Sequence, residues 1–257
     1  MMKKIGFCAS GLCVFWLLLY GCVTYSTSQK KKVEAKTSLG QSMIERGDKP
    51  GGLKELLEAA EMDPANPEIQ LNIAIAYRDM KELDKAIRHL NKALELKPSY
   101  PEAQNEFGNI YAGMKDWDKA LASFMKAAQN DMYTKRHIAY DNIGTVYYMK
   151  GHYMRALESY KKSIAISSRY SRAYDNMGLT YEALGQKQSA IRAYHQSIKL
   201  APGYPESYLH LGRIYLQLNR QKEAVEALLK AIENDPSGTY GKEARKLLNQ
   251  VTIIKKR

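Results

Sequence analysis

Apolar and small residues recur along this chain at a fixed interval. Asn142-Ile143-Gly144 is followed by Tyr147 and Ala156. Asn176-Met177-Gly178, Tyr181 and Ala190 repeat the arrangement 34 residues later, and His210-Leu211-Gly212, Tyr215 and Ala224 repeat it 34 residues after that. In the other direction, Phe107-Gly108, Tyr111 and Ala120 come 36 residues earlier, and Asn72-Ile73-Ala74, Tyr77 and Ala86 another 34 before those. A period of this size predicts a stacked array of helix pairs.

Seven of the eight prolines fall into two phases of the same period: Pro64, Pro98, Pro202 and Pro236, then Pro67, Pro101 and Pro205 three residues on. Proline lacks the amide donor that a helix interior needs but is tolerated in a first turn. The first phase therefore ends one helix and the second opens the next. Place 8 of each unit is Gly or Ala (Gly40, Ala74, Gly108, Gly144, Gly178, Gly212), and place 20 is Ala from Ala86 onward. Small residues there let paired helices approach, and large residues at places 7, 11 and 24, such as Phe107, Tyr111 and Phe124, fill the space between them. This stripe reads as core and not as a cofactor site.

The period and the two small places resemble the tetratricopeptide repeat. The resemblance covers residues 33–238 as six repeats, 33–66, 67–100, 101–134, 137–170, 171–204 and 205–238. It implies an all-α fold, a right-handed superhelix (α-solenoid) of six helix pairs. Repeat one is degenerate: Gly52 stands at the place of the packing alanine, and Pro50, Gly51 and Gly52 read as a loosened turn. Two extra residues enter near 133–136, where a change of superhelical pitch is expected. Met132 and Ser168 replace prolines. Residues 239–257 do not open a seventh repeat. Ala244, Leu247, Leu248 and Val251 lie at i, i+3, i+4 and i+7, one apolar stripe. They predict a C-terminal capping helix over the exposed face of repeat six, as a solenoid requires.

Net charge is +12 at pH 7 and the pI is near 9.4. A basic excess draws acidic partners, nucleic acid or anionic head groups, although acids are interspersed with the bases throughout. The three cysteines, Cys8, Cys13 and Cys22, all precede the repeats, so the folded body has no disulfide framework or cysteine metal site. No GxxxxGK[ST], HExxH or GxSxG occurs, and the five histidines lack ligand spacing. The expectation is a binding protein with no catalytic residues, no metal and no cofactor. Nucleic acid is disfavoured, because neither a stacking sheet nor a basic helix is present.

Lys3 and Lys4 precede a charge-free apolar run from Ile5 to Tyr20. About 16 residues are short of the roughly 20 that a spanning helix needs. The layout reads as a secretory signal over residues 1–21. Leu19-Tyr20-Gly21-Cys22 resembles a bacterial lipobox, with Tyr20 in place of the usual small residue. That implies cleavage before Cys22 and lipidation of it. The other reading is an uncleaved anchor with an incidental cysteine. Either places the repeats outside the cytoplasm. Val23, which is not the Asp common in inner-membrane lipoproteins, favours the outer membrane, with an inner-membrane anchor as the alternative. Residues 22–32, ending in Lys30-Lys31-Lys32, read as a flexible tether.

In the tetratricopeptide family the first helix of each pair lines a concave groove, with places 2, 5, 6, 9 and 12 pointing inward. This implies a partner-binding row of Asn72, Asn105, Asn109, Asn142 and Asn176, together with Arg78, Tyr148, Glu182 and Arg213. An asparagine amide both donates and accepts, so it can pair with a peptide amide. The row resembles asparagine ladders that hold extended peptides, and Glu106 and His210 interrupt it. The alternative is that Asn at place 6 is a consensus surface residue. Lipobox, short tether, six repeats and cap together resemble the type IV pilus biogenesis lipoproteins, pilotins of the secretin (the PilF/PilW/Tgl group). That implies a non-enzymatic scaffold at the periplasmic face of the outer membrane that binds secretin subunits and promotes their insertion and multimerisation. A general periplasmic adaptor for envelope or cell-wall assembly enzymes is the rival reading. An accessory module of a transferase or protease is a third.

Overall fold

A computed structural model describes residues 27–254, with side chains to residue 250. The expected signal at 1–21 and Cys22 lie outside the described residues, as does the side chain of Val251. The described chain is thirteen helices with no strand. They form six pairs: α1 (Thr27–Glu45) with α2 (Lys49–Met62), α3 (Pro67–Asp79) with α4 (Leu83–Leu96), α5 (Pro101–Gly113) with α6 (Trp117–Ala128), α7 (Arg136–Met149) with α8 (Tyr153–Ile166), α9 (Ser171–Ala183) with α10 (Lys187–Leu200), and α11 (Pro205–Gln217) with α12 (Gln221–Asn234). Helix α13 (Thr239–Ile254) follows and packs on both α11 and α12.

Each pair closes on one contact, in which place 8 of the first helix receives the side chain at place 24 of the second. Phe124 lies over Gly108, Tyr160 over Gly144, Tyr194 over Gly178 and Leu228 over Gly212. All four large side chains are buried. A Cβ on Gly144 would stand 2.5 Å from Tyr160 Cε1, inside any real carbon contact. The turn within each pair reverses on a residue of positive φ at place 15. These are Gly47, Lys81, Lys115, Gly151, Gly185 and Asn219.

Two expectations are corrected at the N-terminal end. Residues 27–32 belong to helix α1 and not to a flexible tether. Val33 on that helix is buried against Leu56, Ile69 and Ile73, so tertiary packing carries the helix back into the polar stretch. Pro50, Gly51 and Gly52 form the first turn of α2 and not a loosened turn. Asp48 caps it, its carboxylate accepting from Gly51 N at 3.0 Å, and proline in a first turn sacrifices no helical bond. Gly52 is itself a packing residue: a Cβ on Gly40 would stand 2.8 Å from the Gly52 carbonyl oxygen.

The first helices form an inner layer. Helix α1 touches α3, α3 touches α5, α7 touches α9 and α9 touches α11, and no two second helices meet comparably. Splaying of the outer layer curves the array. Among these inner neighbours the α5–α7 pair lacks such a contact. The two extra residues stand between those helices. In that loop Asn130 Nδ2 donates to Ser99 Oγ at 3.0 Å, its Oδ1 accepts from Met132 N at 3.0 Å, and Tyr133 is driven into the core.

Candidate functional site

A cavity of about 510 Å³ lies beside the α5–α7 junction, on the inner face of repeats two to five. Asn72, Arg78, Asn105, Asn109 and Asn142 line it, and Glu102, Lys135 and Arg172 join them. Its geometry follows from place numbers. Places 5, 6, 9 and 12 lie on one helical face because 3.6 residues make a turn, and that face of each first helix turns to the groove.

The amides are not free in equal measure. Asn142 Nδ2 donates to Asn105 Oδ1 at 3.2 Å and lies 3.5 Å from Asn109 Oδ1. This polar bridge spans the α5–α7 gap where backbone packing is lacking. Asn109 Nδ2 donates to Glu106 Oε1 at 3.1 Å. Arg78 pairs with Glu106 and with Asp79. Asn72 is buried as Asn105 and Asn142 are, but its Nδ2 has no partner. A buried donor without an acceptor costs about 1–3 kcal/mol, and because this atom is enclosed an outside carbonyl or carboxylate oxygen meets it only where the side chains over it move.

Further along the array the same row is closed by internal bonds. Asn176 Nδ2 donates to Asp141 Oδ1 at 2.9 Å. His210 Nδ1 sits 3.2 Å from Asp175, which also accepts from the Ser207 hydroxyl at 2.6 Å. The side chain at place 6 thus reaches the acceptor at place 5 of the repeat before it, in three successive junctions. Glu182 accepts from the Tyr194 hydroxyl with Arg213 Nη2 4.0 Å away. The Tyr148 ring packs on Tyr153 at 5.6 Å between centroids. Asn176, Tyr148, Glu182 and Arg213 therefore sit outside the cavity, engaged with their own chain.

Sequence reasoning missed Asp141 and Asp175. Both are buried. Burial pushes the Asp141 carboxyl up to about 6, against the pull of Arg172 and the bond from Asn176. Arg172 Nε lies 3.2 Å from Asp141 Oδ2, yet that oxygen accepts no hydrogen bond, so the approach is off the donor direction. A signal existed: Tyr-Asp-Asn occurs at 140–142 and again at 174–176, at places 4 to 6 of consecutive repeats. Lys135 reaches the cavity only through the inserted residues, and no periodic pattern marks it.

The site can offer hydrogen-bond donors and acceptors to an extended segment, flanked by the cation of Lys135 and the carboxylate of Glu102. No group of His, Cys, Asp and Glu that could hold a metal occurs among the described residues. No helix among them is long and apolar enough to cross a membrane.

The family model described as Tetratricopeptide repeat matches residues 176–239, and that described as TPR repeat matches 76–115 and 144–185. No curated protein matches the chain as a relative. Among solved structures, PilF of Pseudomonas aeruginosa superposes with a TM-score of 0.69 at 19% identity, covering 85% of this chain and 99% of that one. PilW, a type IV pilus biogenesis factor, superposes at 0.72 with 23% identity, covering 86% and 98%. MamA is 29% identical with a TM-score of 0.54, over 64% of this chain and 95% of its own.

Proposed function

Because the chain belongs to the tetratricopeptide-repeat family, whose fold is a protein-interaction scaffold, we propose that it is a lipid-anchored scaffold of the bacterial outer membrane that assists type IV pilus biogenesis. On this reading a lipid on Cys22 holds the array at the periplasmic face. The inner groove captures secretin subunits and promotes their insertion and assembly into a ring. The observation that carries the binding part is the unpartnered Asn72 amide in a preformed cavity. That amide is enclosed in the free chain, and on this reading it donates to a backbone carbonyl of an extended client segment that parts the side chains over it. The pilus assignment draws support from the near end-to-end superposition on PilF and PilW and from the lipobox-like Leu19-Tyr20-Gly21-Cys22. Holding scaffold and client on one membrane turns their encounter into an intramolecular event, at an effective concentration in the roughly millimolar range.

Capture of secretin from detergent-solubilised membranes tests this reading. Asn72→Leu removes the free donor without breaking any internal bond. It is expected to weaken capture roughly tenfold, the worth of one hydrogen bond, and to leave the melting temperature unchanged or raised. Cys22→Ala is expected to lose metabolic palmitate label and to leave the membrane fraction. Undiminished capture by Asn72→Leu excludes the cavity. Recovery of cell-wall enzymes in place of secretin favours the general adaptor.

A further inference from the structure

From repeat two to repeat five, charge is divided between the two layers. The inner helices α3, α5, α7 and α9 carry three Arg or Lys against seven Asp or Glu. The outer helices α4, α6, α8 and α10 carry eleven against four. The zone is bounded, since acids outnumber bases on both α2 and α12. Several inner acids are committed to internal bonds, Asp141, Asp175 and Glu182 among them. The outer cations are different. Arg88, Lys92, Lys126, Lys161 and Lys199 are exposed, and none has a carboxylate partner among the described residues. Their field is felt locally: the His89 imidazole is held below its ordinary range by burial, then by Lys92 and Arg88.

Apolar side chains stand exposed on the same helices. These are Leu96 on α4, Met125 on α6, and Met154 and Ile166 on α8. A surface that mixes unpaired cations with exposed apolar tips has the chemistry of an interfacial membrane contact. An acidic protein surface would answer the cations but leave the scattered apolar tips unexplained.

We propose that the outer layer of α4, α6, α8 and α10 rests on an anionic phospholipid surface. Headgroup phosphates take the arginines and lysines, and the apolar tips enter the interface. This rests on the reading that a lipid at Cys22 tethers the chain. Helix α1 already includes Thr27, which lies five Cα steps from Cys22, at most roughly 18 Å of chain. The body is therefore held within reach of the headgroups. Docking by the outer layer turns the inner groove away from the bilayer, toward a client.

The test uses the full lipidated chain in nanodiscs of phosphatidylcholine, alone or mixed with phosphatidylglycerol, with lysine acetylation read by mass spectrometry. Lys126, Lys161 and Lys199 are expected to react about fivefold more slowly on the anionic discs, the factor that one cation near such a surface contributes. Lys135 in the groove is expected to be unchanged. High salt should erase the difference, since screening shortens the field. In the charge-reversed chain Lys126→Glu, Lys161→Glu, Lys199→Glu, checked for helicity by circular dichroism, Lys92 should lose its protection. Equal acetylation on both discs overturns the proposal. Protection that arises on neutral discs only after an acidic partner protein is added overturns it as well. Intact mass reports the lipid on Cys22 separately. An unlipidated chain that still protects these lysines on anionic vesicles removes the tether and keeps the face.

Discussion

At the scale of single residues, stability hinges on contacts too close to see in composition. Gly144 lies under the Tyr160 ring, where an added methyl meets Cε1 at 2.5 Å. Alanine gains up to about 1 kcal/mol in helix propensity, but overpacking a fixed core costs about 1–3 kcal/mol. Gly144→Ala is therefore expected to lower unfolding free energy in urea. Lys115→Gly is expected to raise it by about 1 kcal/mol, because Lys115 holds a φ of 60° that a Cβ disfavours. Asp141 predicts a pH dependence. Burial raises its carboxyl to about 6, so between roughly pH 4 and 6 the folded chain keeps a proton that the unfolded chain releases. The contribution is present below that window and is lost as pH rises through it. Asp141→Asn has no such loss. Its stability relative to wild type should rise by about 2–3 kcal/mol between pH 4 and 7, measured by denaturant titration at each pH.

At the scale of elements, α13 is the member whose removal is most informative. Ala244 is fully buried, and α13 also covers Leu209, Leu228 and Ala231 with Tyr240, Leu247 and Leu248. Ending the chain at Asp235 uncovers that face. Each large apolar side chain exposed costs roughly 1.5–3 kcal/mol. The truncated protein is expected to melt earlier, bind a hydrophobic dye and elute as aggregates on size exclusion, while far-UV dichroism per residue stays nearly the same. Retention of a monomer with an unchanged melt would show that the last helix is not a cap.

For the molecule as a whole, the departure from strict periodicity makes the site. Deleting Thr134 and Lys135 restores the spacing of 34 and should bring α5 and α7 together as the other inner neighbours are. The expected result is a helical, folded protein in which capture of the proposed secretin client is lost because the cavity has closed; unchanged capture would place the docking surface elsewhere. The regular part of this architecture was readable in the chain. The small residues at place 8, the rings at place 24 and the prolines at helix starts are local demands of helix pairing, and a repeat imposes them on every unit alike. The sequence also displayed the groove asparagines by place number. Which of them remain available was not readable. An amide at place 6 consumes its donor when the neighbour one repeat away presents an acceptor, as Asp141 does for Asn176 and nothing does for Asn72. The sequence by itself determined the array of paired helices and its cap, because close packing at fixed spacing is a local property. The tertiary structure alone decided the gap at the insertion, the helical form of residues 27–32 and the orphan Asn72 donor, because each depends on how residues distant in the chain meet.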